Sequence, residues 1–177
     1  MARLFVAARL PADALDLIAA ELAASGSSGR WVGRDQWHVT LRFLGEADPA
    51  ATAHALATLQ APAVEATLGE ASVRLGRRVL ALPVDGLDRL AASVDGLLER
   101  AGIEAEQDED RPFRGHVTVA RASRRGGLPP LELSEDYRAA PARRFVVREV
   151  ELVRSELARD GARHTVELTQ PLFDPPA

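Results

Sequence analysis

Two stretches of this chain, "WHVTLRFL" (residues 37–44) and "GHVTVARA" (residues 115–122), contain the same tripeptide, His-Val-Thr. The whole sequence has four histidines, so chance would rarely place two of them in one frame. Both stretches alternate polar with apolar residues and are rich in β-branched side chains, which predicts that each forms a strand. The repeat therefore predicts two similar halves that face each other, each contributing one such strand.

Side-chain alternation along these two strands predicts which residues share a face. In the first motif His38, Thr40 and Arg42 are predicted to point to one side, while the apolar residues between them point to the core. In the second motif the polar side is predicted to carry Arg114, His116 and Thr118. Each strand then presents an imidazole, a hydroxyl and a guanidinium on a side where a ligand can bind.

Two imidazoles that face one cleft are suited to acid–base catalysis, because a histidine with the ordinary pKa of about 6.5 can donate or accept a proton near neutral pH. Hydroxyl and guanidinium groups beside them would bind the non-bridging oxygens of a phosphate and stabilise charge that develops there. We interpret the repeat as a phosphoryl-transfer site that needs no metal. Arg114 is the favoured phosphate ligand. Arg42 could instead pair with Glu46, and Arg121 falls on the opposite face under strict alternation.

The other two histidines do not repeat the motif. His54 lies in an alanine-rich stretch that predicts a helix, and we expect its side chain at the surface. His164 has a threonine directly beside it, so strand alternation would place these two side chains on opposite faces. Neither histidine is predicted to belong to the site.

Composition excludes several classes of chemistry. The chain has no cysteine and no lysine, all 22 basic residues being arginine, which excludes thiolate nucleophiles, Schiff bases, lysyl-nucleotide intermediates and Walker-type phosphate loops. The sequence also lacks the Gly-x-Ser-x-Gly motif of many serine hydrolases and the histidine spacings typical of zinc sites. We therefore expect neither a metal nor a cofactor.

The length and charge of the chain set its general class. Its 177 residues predict a single domain, residues 1–177, with an internal duplication. The net charge of −4 excludes the broad basic surface that nonspecific nucleic-acid binders use, so any contact with nucleic acid should be local. No apolar run is long enough to cross a membrane, and the N-terminal residues do not follow a signal-peptide pattern. We expect a soluble, cytoplasmic monomer.

Strand and helix patterns alternate along the chain. Strands are predicted at residues 3–10, 71–76 and 77–84, and a hairpin of 144–157 with 163–173 is predicted to turn at 158–162. Helices are predicted at residues 11–25, 50–60 and 87–102. The segment 123–142 has the composition of an irregular, disordered stretch.

The paired His-x-Thr-hydrophobic motifs, "HVTL" and "HVTV", resemble those of the two-histidine (2H) phosphoesterases. The flanking stretches "RLFVAARLP", "RPFRGHVTVARA" and "VELVRSEL" narrow the resemblance to the RNA 2′,3′-cyclic phosphodiesterase branch, historically called 2′–5′ RNA ligases. The resemblance extends over nearly the full chain, from Arg3 to about Pro175. It implies an α+β fold of two pseudo-symmetric lobes, each an antiparallel β-sheet backed by helices, around a central cleft.

The same resemblance implies a reaction and its residues. His38 and His116 match the catalytic histidines, and Thr40 and Thr118 match phosphate-binding threonines. The implied reaction is metal-independent attack of water on the terminal 2′,3′-cyclic phosphate of RNA, tRNA fragments included, to give a 2′-phosphomonoester. Reversal with a 5′-hydroxyl end would give 2′–5′ ligation. Our hypothesis at this point is that His38 is the acid that protonates the leaving 3′ oxygen and His116 is the base that activates water. Gly115, where relatives often have proline, predicts a loose start of the second strand.

Two alternative functions stay open. A duplicated scaffold of this kind can be a non-catalytic module that binds nucleotides or RNA ends, or a cyclic phosphodiesterase that acts on a small cyclic nucleotide. Matching His and Thr residues in both motifs favour an enzyme, because binding alone needs no matched acid and base. Three aromatic residues are candidates for stacking on a base: Trp37, Phe113 and Tyr137.

Overall fold

The computed structural model describes residues 1–104, 112–122, 126–158 and 161–174. The strands in these residues are β1 (Ala2–Ala8), β2 (Val39–Ala47), β3 (Val64–Leu68), β4 (Val73–Leu75), β5 (Val79–Asp85), β6 (His116–Arg121), β7 (Arg144–Val147), β8 (Glu149–Ala158) and β9 (Gly161–Pro171). The helices are α1 (Ala12–Ala24), α2 (Pro49–Leu56), α3 (Asp88–Arg100) and α4 (Glu135–Ala139). Short 3-10 helices occur at Arg34–Gln36 and Pro141–Arg143.

The described strands form one nine-stranded sheet in which the two His-Val-Thr strands are central neighbours. The order is β7-β3-β5-β6-β2-β1-β8-β9, and β4 pairs with β5. The pairings in this order are antiparallel. Strands β1, β8 and β9 follow β2 on one side, and β5, β3 and β7 follow β6 on the other. This two-lobed α+β architecture confirms the predicted fold class. The single domain with an internal duplication stays a prediction, which the mirrored strand order supports.

The two central strands separate soon after they meet. Their registered pair is Val39 with Val117. Beyond it the backbone of residues 30–32 runs beside β6: the Val32 N–H donates to the Val119 carbonyl at 2.9 Å, and the Arg121 N–H donates to the Arg30 carbonyl at 3.0 Å. The chain before β2 thereby fills the opening between the lobes, and it brings its own side chains to the cleft.

The large hydrophobic core lies between the helices and the sheet. Along α3, Leu90, Val94 and Leu98 recur at helical spacing, and none is more than 2% exposed. Burial of an aliphatic side chain of this size stabilises the fold by about 1.5 to 3 kcal/mol.

Helix α2 begins with Pro49, and the Asp48 carboxylate caps its first turn by accepting two backbone N–H groups. The three predicted helices are thus confirmed as α1, α2 and α3.

A smaller apolar cluster lies on the cleft side of β1. Phe5 and Ala7 pack there with Val153 of β8, and Phe43 of β2 packs against them. Residues 4–8 are therefore buried on both faces of β1. This cluster provides an apolar surface beneath the cleft.

The structure corrects three of the predictions about secondary structure. The pattern analysis missed strand β3, and it assigned a disordered stretch to residues 123–142. Residues 123–125 lie outside the described part, but the remainder of that stretch carries α4 and buries Leu131, Leu133 and Tyr137. Burial of these apolar side chains, rather than the overall composition of the stretch, decides the outcome here. The predicted hairpin is present as β8 and β9, with residues 159–160 of its turn outside the described part. Its first strand is shorter than predicted, because residues 144–147 form the separate strand β7, which pairs with β3 at the opposite edge of the sheet.

None of the helices in the described ranges combines the length and apolar character that crossing a membrane requires.

Candidate active site

The two motif histidines are held by the same local hydrogen bond. The Nδ1 atom of His38 lies 2.6 Å from the carbonyl oxygen of Gln36, and the Nδ1 atom of His116 lies 2.8 Å from that of Arg114. A carbonyl oxygen can only accept, so Nδ1 carries a proton in both rings. In the neutral imidazole this leaves Nε2 as the proton-accepting nitrogen. Both lobes therefore fix the same tautomer, with Nε2 as the reactive atom.

One cleft brings both motifs together. It has a volume of about 690 Å³, and its lining includes His38, Thr40, His116 and Thr118. The predicted alternation holds for these four residues, because Val39 and Val117 between them point into the core and are at most 1% exposed. The two copies of the motif therefore place two imidazoles and two hydroxyl groups on one surface.

A β-bulge follows the threonine in the first motif and changes the facing of later residues. On β1, Val6 pairs with Arg42 and Ala7 pairs with Thr40, so Leu41 has no partner. An unpaired extra residue reverses the alternation beyond it. Arg42 consequently points away from the cleft and forms an ion pair with Asp95 of α3 at 2.9 Å. This corrects both the predicted cleft position of Arg42 and its suggested pairing with Glu46.

The second motif has the equivalent bulge. On β5, Leu80 pairs with Ala120 and Ala81 pairs with Thr118, so Val119 is the unpaired residue. The reversal turns Arg121 into the cleft, which the strict alternation had placed on the opposite face. The side chain of Arg114 is exposed and does not line the cleft. The structure therefore offers Arg121, not Arg114, as the arginine beside the histidines.

The aromatic residues of the cleft also differ from those predicted. Trp37 is 4% exposed and donates its indole N–H to the Val32 carbonyl, so it belongs to the core. Tyr137 is buried in the other lobe, with its hydroxyl 3.3 Å from the Gly69 carbonyl. Phe113 packs against the core. Among the described residues, the phenylalanine and tryptophan side chains that line the cleft are Phe5, Trp31 and Phe43. Phe43 reaches it because of the bulge at Leu41, so the sequence pattern gave no signal for it.

The cleft is positively charged although the protein carries a net charge of −4. Arg3, Arg30 and Arg121 line it, and no acidic side chain is among its described lining residues. The Arg3 guanidinium lies over the Phe43 ring, 5.3 Å from its centroid. A concave site concentrates the electric field of its charged lining residues, so this arrangement attracts an anionic ligand. Across the described ranges, no three acidic or histidine side chains converge as a metal site would require.

His38 is more deeply buried than an ordinary surface histidine. Phe5 stacks on its ring with centroids 4.8 Å apart and an interplanar angle of 22°. Burial lowers the pKa of His38 to about 4, and the nearby His164, Arg9 and Arg121 act in the same direction. The hydrogen bond to Gln36 opposes this shift but is the smaller effect. His38 is consequently neutral at pH 7.

His164 also belongs to the cleft, contrary to the prediction that excluded it. Its ring lies edge to face with His38, at 5.4 Å between centroids and 72° between planes. It reaches this place because β9, at the edge of the sheet, curls over the start of β2, and Gln36 donates a 3.0 Å side-chain hydrogen bond to the Ala162 carbonyl of β9. The alternation rule relates His164 only to Thr165, the next residue in the sequence. It could therefore not predict the contact between His164 and His38. His54, by contrast, is exposed on α2 as predicted.

Gly115 starts the second motif under tight constraint, which corrects the prediction of a loose strand start. Its carbonyl accepts the Val84 N–H at 2.9 Å. A Cβ atom at this position would lie 2.3 Å from the Val84 carbonyl oxygen, which no side chain can tolerate without a shift of the backbone. Glycine is therefore required by the close approach of β5, directly before His116.

Comparisons with known proteins agree with this geometry. The family model described as 2′-5′ RNA ligase superfamily matches residues 11–159. The RNA 2′,3′-cyclic phosphodiesterase of Escherichia coli (strain K12) is 33% identical over 174 residues, which cover 92% of each chain. The crystal structure of E. coli LigT in apo form has a TM-score of 0.73 and 29% identity over 98% of both chains. The structure of E. coli LigT complexed with 3′-AMP has a TM-score of 0.70 and 28% identity over 97% of both chains.

Proposed function

Because this chain belongs to the 2′-5′ RNA ligase superfamily of 2H phosphoesterases, we propose that it hydrolyses the terminal 2′,3′-cyclic phosphate of RNA to a 2′-phosphomonoester. The observation that carries this proposal is the pair of histidines, His38 and His116, which line one cleft in the same tautomer. Each supplies an Nε2 atom for proton transfer, which is the minimum that a displacement at phosphorus with separate acid and base requires.

The groups beside the histidines suit a cyclic phosphate, which carries one negative charge. The hydroxyls of Thr40 and Thr118 would donate to its non-bridging oxygens, and the Arg121 guanidinium would balance the charge that builds up as water attacks. A nucleoside attached to this phosphate can stack on Phe43 or Trp31. The related E. coli LigT has been solved with 3′-AMP, which supports a ligand of nucleotide size.

The lowered pKa of His38 supports a division of roles opposite to our hypothesis from the sequence. A histidine that is neutral at pH 7 is ready to accept a proton but holds almost none to donate. We assign the base to His38: its Nε2 takes the proton of the attacking water as the new P–O bond forms. In this assignment His116 is the acid: a proton on its Nε2 passes to the 3′ oxygen as the P–O3′ bond breaks. The products are a 2′-phosphate and a free 3′-hydroxyl.

The same groups would catalyse the reverse reaction and its ligation variant. If the 5′-hydroxyl of a second RNA replaces water, the product is a 2′–5′ phosphodiester and the number of phosphodiester bonds is unchanged. The absence of lysine excludes a lysyl-adenylate route to ligation. We propose hydrolysis as the main activity, because water is always available in an open cleft.

A turnover assay tests this proposal. A short RNA with a 2′,3′-cyclic phosphate end is incubated with the wild-type protein in EDTA, and the position of the product phosphate is determined. We expect a 2′-phosphate product, and a loss of at least about 100-fold in His38→Ala and His116→Ala, with His54→Ala as the control. Binding of the RNA without turnover would favour a binding module instead. Turnover of a small cyclic nucleotide but not of the RNA would favour the small-molecule phosphodiesterase.

A further inference from the structure

Three aromatic rings form a closed cluster beneath the cleft. Phe5 of β1 stacks on His38 and meets His164 edge to face, with centroids 5.1 Å apart. His164 in turn meets His38 edge to face at 5.4 Å. Each ring therefore contacts the other two, so His38 cannot rotate out of its plane without displacing His164. The motif residues alone do not provide this restraint.

Gln36 connects the same two histidines through the backbone. Its carbonyl accepts the Nδ1 proton of His38 at 2.6 Å, and its side-chain amide donates to the Ala162 carbonyl of β9 at 3.0 Å. Within β9, His164 lies opposite Ser155 of β8, and Ser155 also lines the cleft. Strand β9 is thus tied to the segment that orients His38, and His164 is carried to a fixed place beside it.

The charged groups around the two histidines favour an ordered uptake of protons. They are Arg9 after β1, Asp35 in the 3-10 turn, Arg121 on β6 and Glu151 on β8. Arg9 forms an ion pair with Glu151 at 3.0 Å, and it still lowers the pKa of both histidines. Burial lowers the pKa of His164, but the Asp35 carboxylate counteracts this shift at His164 and is not among the causes at His38. The Asp35 carboxylate therefore favours a proton on His164 over a proton on His38.

We propose that His164 is a positioning residue for His38: its ring fixes the plane of the His38 imidazole, and a positive charge on that ring disfavours a proton on Nε2 of His38. Two imidazolium ions at 5.4 Å repel each other, so the second proton is disfavoured once the first has bound. The catalytic consequence rests on the proposed function, in which His38 is the base. There it extends the working range of the enzyme to lower pH.

The charge effect is tested by titration of the four histidines in the full-length protein, labelled with ¹³C at Cε1 and followed by NMR. The His38 resonance is identified by its loss in His38→Ala. We expect the His38 midpoint to rise by about 0.5 to 1 pH unit in His164→Gln, which removes the charge, and to stay unchanged in the control His54→Gln. An unchanged His38 midpoint in His164→Gln would overturn the proposal.

The packing effect is tested by turnover at pH 7 with a second variant. His164→Phe keeps an aromatic ring in the cluster, so we expect kcat within about twofold of wild type, whereas His164→Gln should lose about 5- to 20-fold in kcat with little change in KM. Equal kcat in both variants would show that the ring does not position His38. The NMR titration needs no turnover, so it decides the coupling even if the RNA is not hydrolysed. Failure of the wild type to turn over the RNA counts only against the proposed function.

Discussion

The His38 half and the His116 half of the cleft share a backbone design but differ in their surroundings. Both histidines donate Nδ1 to the carbonyl two residues earlier, and both motifs have a β-bulge directly after the threonine. However, His38 is enclosed by Phe5 and His164, which come from β1 and β9. In the structure His116 has no equivalent pair of rings among its described contacts. The shared backbone sets the tautomer of both histidines, whereas neighbours from strands with no equivalent around His116 lower the pKa of His38.

The two bulges also lie at equivalent positions but turn different side chains into the cleft. Each reverses the alternation so that a later residue of the motif strand points into the cleft, Phe43 in one lobe and Arg121 in the other. One position thus provides a surface for stacking, and its counterpart provides a positive charge. A duplicated frame with different side chains at equivalent places can bind a ligand that is itself asymmetric, with a base at one end and a phosphate at the other.

The largest expected effect on folding tests the burial of His38. Its pKa is about 4 in the folded protein and about 6.5 when unfolded, so the unfolded chain binds the proton more tightly. The free energy of unfolding should therefore fall as the pH drops from about 6.5 to 4, with about 2 to 3 kcal/mol due to this histidine. Urea unfolding between pH 7 and 4 should show a steeper loss for wild type than for His38→Gln. Parallel curves for the two proteins would mean that His38 is not shielded from water.

The second prediction concerns the start of the other motif strand. Gly115→Ala introduces a Cβ atom against the Val84 carbonyl, so we expect a loss of about 2 kcal/mol or more in the free energy of unfolding and a fall in activity as His116 shifts. Gly127→Ala is the matched control, because nothing lies within 4 Å of a Cβ atom there. Chemical denaturation measures both. Equal stability of the two variants would contradict the close contact at Gly115.

The third prediction compares two arginines of the second motif. Arg121→Ala should lower kcat/KM for the cyclic-phosphate RNA by about 10- to 30-fold, since a charge-assisted hydrogen bond to phosphate is lost. Arg114→Ala should have almost no effect, because this side chain points to solvent while its carbonyl still holds His116. Steady-state kinetics on both variants decide the matter, and a larger loss in Arg114→Ala would restore the original sequence prediction.

The smallest expected effect concerns the threonine that each lobe contributes to the cleft. Thr40→Val and Thr118→Val each remove one neutral hydroxyl donor without changing the shape of the side chain, so each should reduce kcat/KM by about 2- to 10-fold. Thr165→Val, on an exposed position of β9, is the control. If one threonine proves more than 100-fold more important than the other, the threonines do not share the phosphate as the symmetry suggests.

The sequence predicted the parts of the site that depend on local alternation. His38, Thr40, His116 and Thr118 lie within three residues of one another on each strand, before either bulge, so the two-residue period held. The same rule failed at Arg121, because a bulge depends on how the neighbouring strand pairs and leaves no clear mark in the motif itself.

Residues brought to the cleft by tertiary structure could not be predicted from the motifs. His164 enters through the curl of β9 over β2, and Arg30 enters through the pairing of residues 30–32 with β6. The opposite error concerns Trp37, which was a predicted stacking residue but does not reach the cleft. Trp37 directly precedes His38 in sequence but lies in the core, since neighbouring residues of an extended chain point to opposite sides.

The most direct test of the division between base and acid uses two leaving groups. His38→Ala and His116→Ala are compared on the cyclic-phosphate RNA and on a nucleotide p-nitrophenyl phosphodiester, whose leaving group departs without a proton. The account predicts that His38→Ala is impaired on both substrates, whereas His116→Ala loses at least about 100-fold on the RNA but less than about tenfold on the nitrophenyl ester. The reverse pattern, with His38→Ala rescued by the better leaving group, would contradict the account and make His38 the acid.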